Sequence, residues 1–387
     1  MDINIVGGGL AGLTAAVAAA ERGANVTLYE SHETLGGRAR SSSPPHVANE
    51  GPHVLYAGRP MRWLEERGLL PPVRRMPAAA LAGARAVYGG RLAVPPAGML
   101  WAAARRGLRA PVDEDFASWA TGKFGAATAQ TLGKAGGVAL MDHDPGRLSA
   151  AFVWDRFQRA TTPGPPPVFY VLGGWTNLVE HMARRARAMG VRIETGARVT
   201  ELPVGPPGTP VVVATSLASA RSLLGDESLT WESGHTFLLD LGLRSTGREP
   251  SVVFDLDGGG FVERYTCIDP TLAPRGEELV QAQMPVRPGE RRAEVVERLE
   301  GFLDTALPGW GDRVTWRREQ EARGRSGALD LPGTTWRDRP AVDRGGGVYL
   351  AGDSVAAPGL LGEVSITSAV AAVNAALSRE PVRAPAA

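Results

Sequence analysis

The sequence predicts an α/β protein: a doubly wound, Rossmann-like domain assembled from discontinuous pieces, with a mixed α+β second domain. Three observations carry this. The opening stretch reads strand, glycine turn, helix, strand. A short apolar strand and a long alanine-rich helix return near the far end. Between them lie a helix-rich insert and a stretch of strand-like alternation.

The chain has 387 residues, of which 43% are apolar and 21% charged. That is too long for one small core and too apolar for disorder, so two or three lobes are expected. Basic and acidic residues number 42 and 41. No whole-molecule field therefore favours nucleic acid or an anionic membrane. Only two of the basic residues are lysines, Lys123 and Lys134. A single cysteine, Cys267, excludes an intramolecular disulfide and any multi-cysteine metal site. It fits a reducing compartment, so a cytoplasmic location is expected. No charged leader precedes the first apolar run, and no stretch of about 18 uninterrupted apolar residues exists.

The elements follow in order. Ile3 to Val6 reads as a short buried parallel strand, and an alanine-rich helix runs from Leu10 to about Arg22, with Gly23 as its C-cap. Asn25 to Tyr29 is the second strand, which completes a βαβ unit. Residues 60–160 read as helical pieces separated by Pro and Gly, among them Met61 to Arg67 and Phe116 to Phe124. A Pro-rich connector, Pro163 to Pro167, leads to an apolar run at Val168 to Leu172, a Gly173-Gly174 turn and a helix to about Met189. Asn177 and Glu180 have capping-box spacing for that helix. Val191 to Ile193 and Val211 to Ala214 read as strands. Alternation at Phe237 to Leu241, Val252 to Asp255 and Phe261 to Ile268 predicts an antiparallel sheet in a second insert. Arg291 to Leu303 reads as an amphipathic helix, and the strand Val348 to Ala351 and a helix from about Val364 to Leu377 close the pattern. The dinucleotide domain is thus expected over 1–75, 168–216 and 335–387, and a substrate or cap domain over 76–167 and 217–334.

Gly7-Gly8-Gly9-Leu10-Ala11-Gly12 matches G-x-G-x-x-G. Gly7 permits the tight turn, Gly9 lets the backbone approach a pyrophosphate, and Gly12 allows close helix–strand packing. The N–H groups that open the helix, at Leu10, Ala11 and Gly12, face the phosphates with the positive end of the dipole. Glu30 ends the second strand, where a carboxylate accepts both ribose hydroxyls. Together these features mark a dinucleotide site; a lone glycine pattern would not.

Leu35-Gly36-Gly37-Arg38-Ala39-Arg40-Ser41 then resembles the L-G-G-R-x-x-S/T run of the FAD-dependent superfamily that holds phytoene desaturases, monoamine oxidases and protoporphyrinogen oxidases. Asn49-Glu50-Gly51-Pro52-His53 resembles that superfamily's D-x-G-x-H segment, with Asn49 where the family has an acid. Val348 to Ser354 resembles its second FAD motif, and Pro358-Gly359 with Gly362-Glu363-Val364 resembles the turn at the flavin pyrimidine. The resemblance implies non-covalent FAD. It implies Arg38 beside the pyrophosphate, Gly352 and Asp353 at the ribityl chain, the Val199 backbone at the adenine, and Gly51, Pro52 and His53 along the flavin. The phytoene-desaturase-like branch is the closer one. Monoamine-oxidase-like members usually carry a lysine in the later half of the chain, and none follows Lys134 here.

No second G-x-G-x-x-G followed by a helix exists, so a separate NAD(P)H domain is not expected. The resemblance then implies an organic substrate as electron donor, with oxygen or another acceptor as the final oxidant. A flavin-dependent isomerase, mutase or dehydroxylase, and an amine oxidase lacking the usual lysine, are the alternatives. Candidate catalytic groups are His53, Tyr56, Glu363 and Trp336. His53 either contacts the ring or is a structural histidine bonded to backbone. Tyr56 lines the pocket. Glu363 is an acid or base if desolvated, or a solvated helix-start acid. Trp336 is an aromatic wall or core. Asp142, His143 and Asp144 precede a Pro-Gly turn, and no metal site is expected there. Leu92 to Leu108, apolar with Trp101 and two arginines, either docks on a membrane or packs on the core. Oligomeric state is not readable.

Overall fold

The computed structural model describes residues 1–51, 53–94, 96–162, 167–203 and 208–378. Pro52 and four of the five connector residues, 163–166, lie outside the described residues. In chain order, β1 (Asp2–Val6), α1 (Leu10–Ala20) and β2 (Asn25–Tyr29) form the opening unit, followed by β3 (Leu55–Tyr56), α2 (Arg59–Glu66) and β4 (Val73–Arg74). The first insert holds α3 (Ala78–Ala82), the hairpin β5 (Arg85–Tyr88) and β6 (Arg91–Ala93), then α4 (Ala97–Ala103), α5 (Phe116–Phe124), α6 (Ala126–Leu140) and α7 (Ala150–Ala160). Next come β7 (Val168–Val171), α8 (Trp175–Ala188), β8 (Arg192–Glu194), β9 (Val211–Val213) and α9 (Leu217–Leu224). The second insert holds β10 (Ser233–Arg244), β11 (Val252–Asp255), β12 (Phe261–Arg264), β13 (Glu277–Pro285), α10 (Arg292–Ala306) and β14 (Val314–Ala328). β15 (Val348–Leu350) and α11 (Gly362–Ser378) complete the chain's described elements.

A five-stranded parallel sheet, ordered β15-β9-β1-β2-β8, forms the dinucleotide domain. β1 is central, and its Ile3 and Ile5 are fully buried. Strands covered on both faces read as continuous apolar runs, as Val211-Val212-Val213 does. Helices α1, α8 and α11 pack around one core through Leu13, Val17, Leu178, Met182, Ala369 and Val373. Small residues on α1 let it lie close to α11 and α8. Gly23, at φ 76°, ends α1 in a Schellman pattern, with Ala24 N–H donating to Ala19 and Gly23 N–H to Ala20.

The cap is a seven-stranded sheet, β14-β10-β13-β12-β11-β5-β6, with α10 packed on its face through Val295, Leu299 and Leu303. It differs from the expected antiparallel sheet in two ways. It takes β5 and β6 from the first insert, and β5 pairs with β11 in parallel. β14 is a 15-residue edge strand, VTWRREQEARGRSGA, whose charges conceal it from a search for apolar alternation. The run from Phe261 stops as a strand at Arg264 and turns through a 3-10 segment, Tyr265–Cys267, that buries the Tyr265 ring.

Two further expectations are corrected. Asn177 does not cap α8: the cap position is Gly174, at φ 83°, and Asn177 sits in the first turn, where its amide donates to Leu172 O. In the Leu92–Leu108 stretch only a seven-residue helix forms, which buries Ala102 and leaves Leu100 and Trp101 exposed. No helix among the described residues is long and apolar enough to cross a membrane.

Candidate functional site

The glycine turn is closed by its own backbone. Gly7, at φ 108°, donates its N–H to Tyr29 O at 2.7 Å, which ties the end of β1 to the end of β2. A Cβ on Gly12 would lie 1.8 Å from Gly7 O, so only glycine lets α1 start this close to β1. Gly9 is different: a Cβ there would meet nothing nearer than Gly36 O at 3.8 Å. Gly9 precedes α1 without a side-chain cap, so the first-turn N–H groups of Leu10, Ala11 and Gly12 lack an intrahelical partner. Leu10 also meets the start of α11, where a Cβ on Gly362 would lie 3.4 Å from its Cδ2. Two helix N-termini therefore converge beside β1.

Glu30 is 6% exposed. Its Oε2 accepts Gly8 N–H at 2.7 Å, and its Oε1 accepts His32 N–H at 2.9 Å. Burial opposes its ionisation, but the bonds from the His32 backbone and ring and from Gly8 N–H prevail and hold it below the usual carboxylate range. The Leu35 run follows as a loop in which Gly36 and Gly37 have φ 115° and 56°, and Gly36 N–H donates to Gly8 O.

Arg38 and Asp353, far apart in sequence, form a two-bonded pair at 2.7 and 2.9 Å. Arg38 also donates to Arg325 O. Asp353 lies at the carboxyl ends of β9 and β15, in a crevice lined by Thr215, Leu217, Gly352, Ser354 and Val355. Burial pushes the Asp353 carboxyl up, and the Arg38 charge more than offsets it, so it stays ionised below its ordinary value. The two residues expected at separate parts of a cofactor hold each other.

The loop after Asn49 joins the two domains. Asn49 Oδ1 accepts from Ser41 Oγ at 2.8 Å and from Trp175 N–H at 3.0 Å, so the amide caps α8 from a distance. Gly51, at φ 95°, faces Leu238 of the cap. His53 Nδ1–H donates to Gly51 O at 2.7 Å, which leaves Nε2 as the unprotonated nitrogen. Burial lowers the His53 pKa, and the Arg38 charge adds to this, so the ring is neutral at pH 7. It meets Trp175 edge-on at 4.8 Å, and the buried Trp175 Nε1–H has no partner. His53 N–H donates to Tyr265 Oη at 3.1 Å. Tyr265 and Tyr170 both hydrogen-bond Glu263, a carboxyl 3% exposed and pushed up to about 7 by burial.

Glu363 opens α11 and is 7% exposed, so it is not a solvated helix-start acid. Arg159 of α7 grips it with two bonds of 2.9 Å each, and Leu360 N–H adds a third at 2.9 Å. Leu361, just before the helix, takes φ 50°, an uncommon conformation for a branched residue and one that clusters at functional turns. Tyr56 lies with its ring centroid 5.3 Å from the Arg159 guanidinium. Burial pushes its phenol up to about 12. Val364 is buried in the helix.

Other candidates lie elsewhere. Trp336 sits half-buried in a turn beneath Arg337, at 4.3 Å, and no hydrogen bond or ring contact among the described residues ties it to His53, Tyr56 or Glu363. Val199 lies in the loop after β8, half-buried against the cluster that includes Val211, Val213 and Ala220. Asp142 takes Arg147 at 2.7 Å, and Asp144 accepts Gly146 N–H, so both serve the turn. Sequence reasoning passed over Arg156, Arg159, Tyr170, Glu263 and Tyr265. Their signal was present: a charged residue inside an apolar face, as in Phe152-Val153-x-x-Arg156-Phe157 on α7 and Phe261-Val262-Glu263 on β12.

Comparison with known proteins agrees with this geometry. Residues 5–66 match the family description NAD(P)-binding Rossmann-like domain. No curated protein matches. Among solved structures, an oxidoreductase from Methanosarcina mazei has a TM-score of 0.75 at 17% identity, covering 97% of this chain and 100% of that one. Cyclohexylamine oxidase from Brevibacterium oxydans has a TM-score of 0.71 at 14% identity, covering 98% and 99%. Wild-type putrescine oxidase bound to putrescine has a TM-score of 0.73 at 14% identity, also covering 98% and 99%. Residues 5–66 therefore match an NAD(P)-binding Rossmann-like domain, and the chain shares its overall fold with an oxidoreductase and with two amine oxidases of known structure.

Proposed function

We propose that the protein is an FAD-dependent oxidoreductase that desaturates or oxidises a small organic biosynthetic intermediate, with FAD held non-covalently. The observation that carries this is the convergence of an uncapped α1, the open face of Gly9 and the buried Glu30 with the start of α11. The residues fit the group: first-turn N–H groups await an anion, Glu30 is ionised for ribose hydroxyls, and Trp175, whose buried Nε1–H has no partner, reaches the α11 start with the far edge of its ring. When bound, a flavin supplies an acceptor for a hydride from substrate carbon, and oxygen or another acceptor takes the electrons on.

The chain's own residues orient and exclude. Leu10, Ala11 and Gly12 N–H groups would hold the pyrophosphate, with Arg38 beside it kept in place by its two bonds to Asp353. The Glu363–Arg159 bridge fixes the first turn of α11 against α7. His53 keeps an unprotonated Nε2, able to accept a proton or a hydrogen bond. The missing lysine after Lys134 favours carbon–carbon desaturation or related oxidation over amine oxidation.

The test is spectroscopic. Purified protein should be yellow or become so with FAD, and acid precipitation should release all flavin to the supernatant. Anaerobic NADH and NADPH should leave it yellow. A protein that takes up no FAD refutes the reading; rapid bleaching by NADPH transfers it to the reductase or non-redox alternatives.

A further inference from the structure

Three arginines, Arg156 and Arg159 of α7 and Arg339, act on one another's charge, and two buried carboxylates answer two of them. Arg159 is taken by Glu363 with two bonds. Arg339 is taken by Asp330 with two bonds of 2.9 Å, both side chains being almost fully buried. Arg156 is the third. It is 9% exposed. Its Nε has no hydrogen-bond partner, and its Nη1 reaches only Phe152 O of its own helix at 2.9 Å. The nearest carboxylate oxygen, on Asp155, is 3.9 Å away on a side chain 65% exposed to water. The guanidinium carbon lies over the Phe152 ring, 3.3 Å from its centroid. Burial lowers its pKa to about 10, so it remains a cation at pH 7.

A buried guanidinium without an anion is costly, because desolvation is not offset by a partner. Arg156 and Arg159 are three residues apart on α7 and so share a face. Tyr56 lies in the field of Arg156, Arg159 and Glu363 together. The free charge therefore stands at the α11 end of the proposed flavin site. We propose that Arg156 anchors the substrate and that the substrate carries a carboxylate. A planar fork with free N–H groups matches a carboxylate in shape and charge. A substrate that presents an ammonium would instead meet an excess positive charge. The inference rests on the flavin reading for its location, and on Arg156 itself for the ligand class.

The experiment uses the full chain, as purified and after loading with FAD, and calorimetric titration with benzoate, cyclohexanecarboxylate, benzamide and cyclohexylamine. The two acids should bind wild type, with the neutral amide and the amine at least about tenfold weaker. Arg156→Met should weaken the acids roughly 10- to 100-fold, the loss of a charge-assisted hydrogen bond, and leave benzamide unchanged. Arg156→Lys should recover part of the loss. Without ligand, Arg156→Met should melt no lower than wild type, since a desolvated cation has been removed. No binding of either acid, equal binding of acids to wild type and Arg156→Met, or amine binding as tight as acid binding each overturns the proposal. A lower melting temperature of Arg156→Met with unaltered acid affinity also overturns it, by making Arg156 a structural cation. Acid selectivity in a protein that takes no FAD would sink the flavin reading alone.

Discussion

Two alanine substitutions in one turn should have opposite consequences. In Gly12→Ala the new Cβ falls 1.8 Å from Gly7 O, a backbone atom. Gly7 cannot retreat, because its N–H is bonded to Tyr29 O at 2.7 Å. Overpacking of this kind costs about 1–3 kcal/mol, and backbone against backbone belongs at the upper end. In Gly9→Ala the backbone is at φ −77° and ψ −174°, which alanine adopts freely. Its Cβ meets nothing nearer than 3.8 Å. The folded protein should be unchanged, or more stable by up to ~1 kcal/mol through the unfolded chain. Yet the methyl occupies the approach expected for a pyrophosphate, so FAD affinity should fall roughly 10- to 100-fold, the same overpacking now read in binding. Thermal melting without FAD and fluorescence titration with FAD separate the two. Gly12→Ala should lose stability first and binding with it; Gly9→Ala should lose only binding. A Gly9→Ala variant that binds FAD like wild type would refute the placement of the pyrophosphate. A Gly12→Ala variant that melts like wild type would refute the contact itself.

Further predictions concern the buried charges. Glu263 has its pKa raised to about 7 by burial. The native state then binds more protons than the unfolded chain between pH ~4.5 and ~7, so its contribution is full below that window and lost as pH rises through it. The loss is about 3 kcal/mol, and Glu263→Gln should remove this slope from denaturant-derived stability; an unchanged slope would assign it to another group. Arg38→Met and Asp353→Asn should each destabilise the protein, and the double variant should cost less than their sum. With Arg38 38% exposed, solvent screening limits the coupling to about 1–2 kcal/mol; strict additivity in urea melts would refute the pair. Asn49→Ala should lose about 1–2 kcal/mol, because Trp175 N–H is left buried without its acceptor. Asn49→Asp should retain most of that, and equal losses in chemical denaturation would show that the cap is not the cause.

The dinucleotide domain was legible because its determinants are local. Gly7 and Gly12 answer to steric demands within one turn, and Val211-Val212-Val213 to burial on both faces. The cap was less so. β14 reads as charged because it is an edge strand, and β5 pairs with β11 across more than 160 residues, which no local pattern encodes. His53 and Glu363 were singled out from their motifs and Tyr56 from its place three residues after His53, but the sequence did not show what holds them. Glu363 is defined by Arg159, His53 by Tyr265, and Arg38 by Asp353, each partner distant in sequence. Pairings of this kind are decided by tertiary packing, and a sequence shows them only as a charge or phenol in an apolar stripe.

The strand order of the parallel sheet also governs how the molecule is made. β1 lies between β2 and β9, and β9 begins at Val211, long after β2 ends at Tyr29. During synthesis at ~5–20 residues per second, one edge of β1 waits roughly 10–40 s for its neighbour. Throughout that interval the ribosome-bound chain presents an unpaired apolar strand, Ile3-Asn4-Ile5-Val6, to any other strand it meets. α1 can fold early from its own residues, but the pyrophosphate turn is not braced until Ala214 N–H reaches Val6 O. The turn after β1 is therefore braced only once more than half of the chain has been made, and until then the free edge of the first strand is open to mispairing.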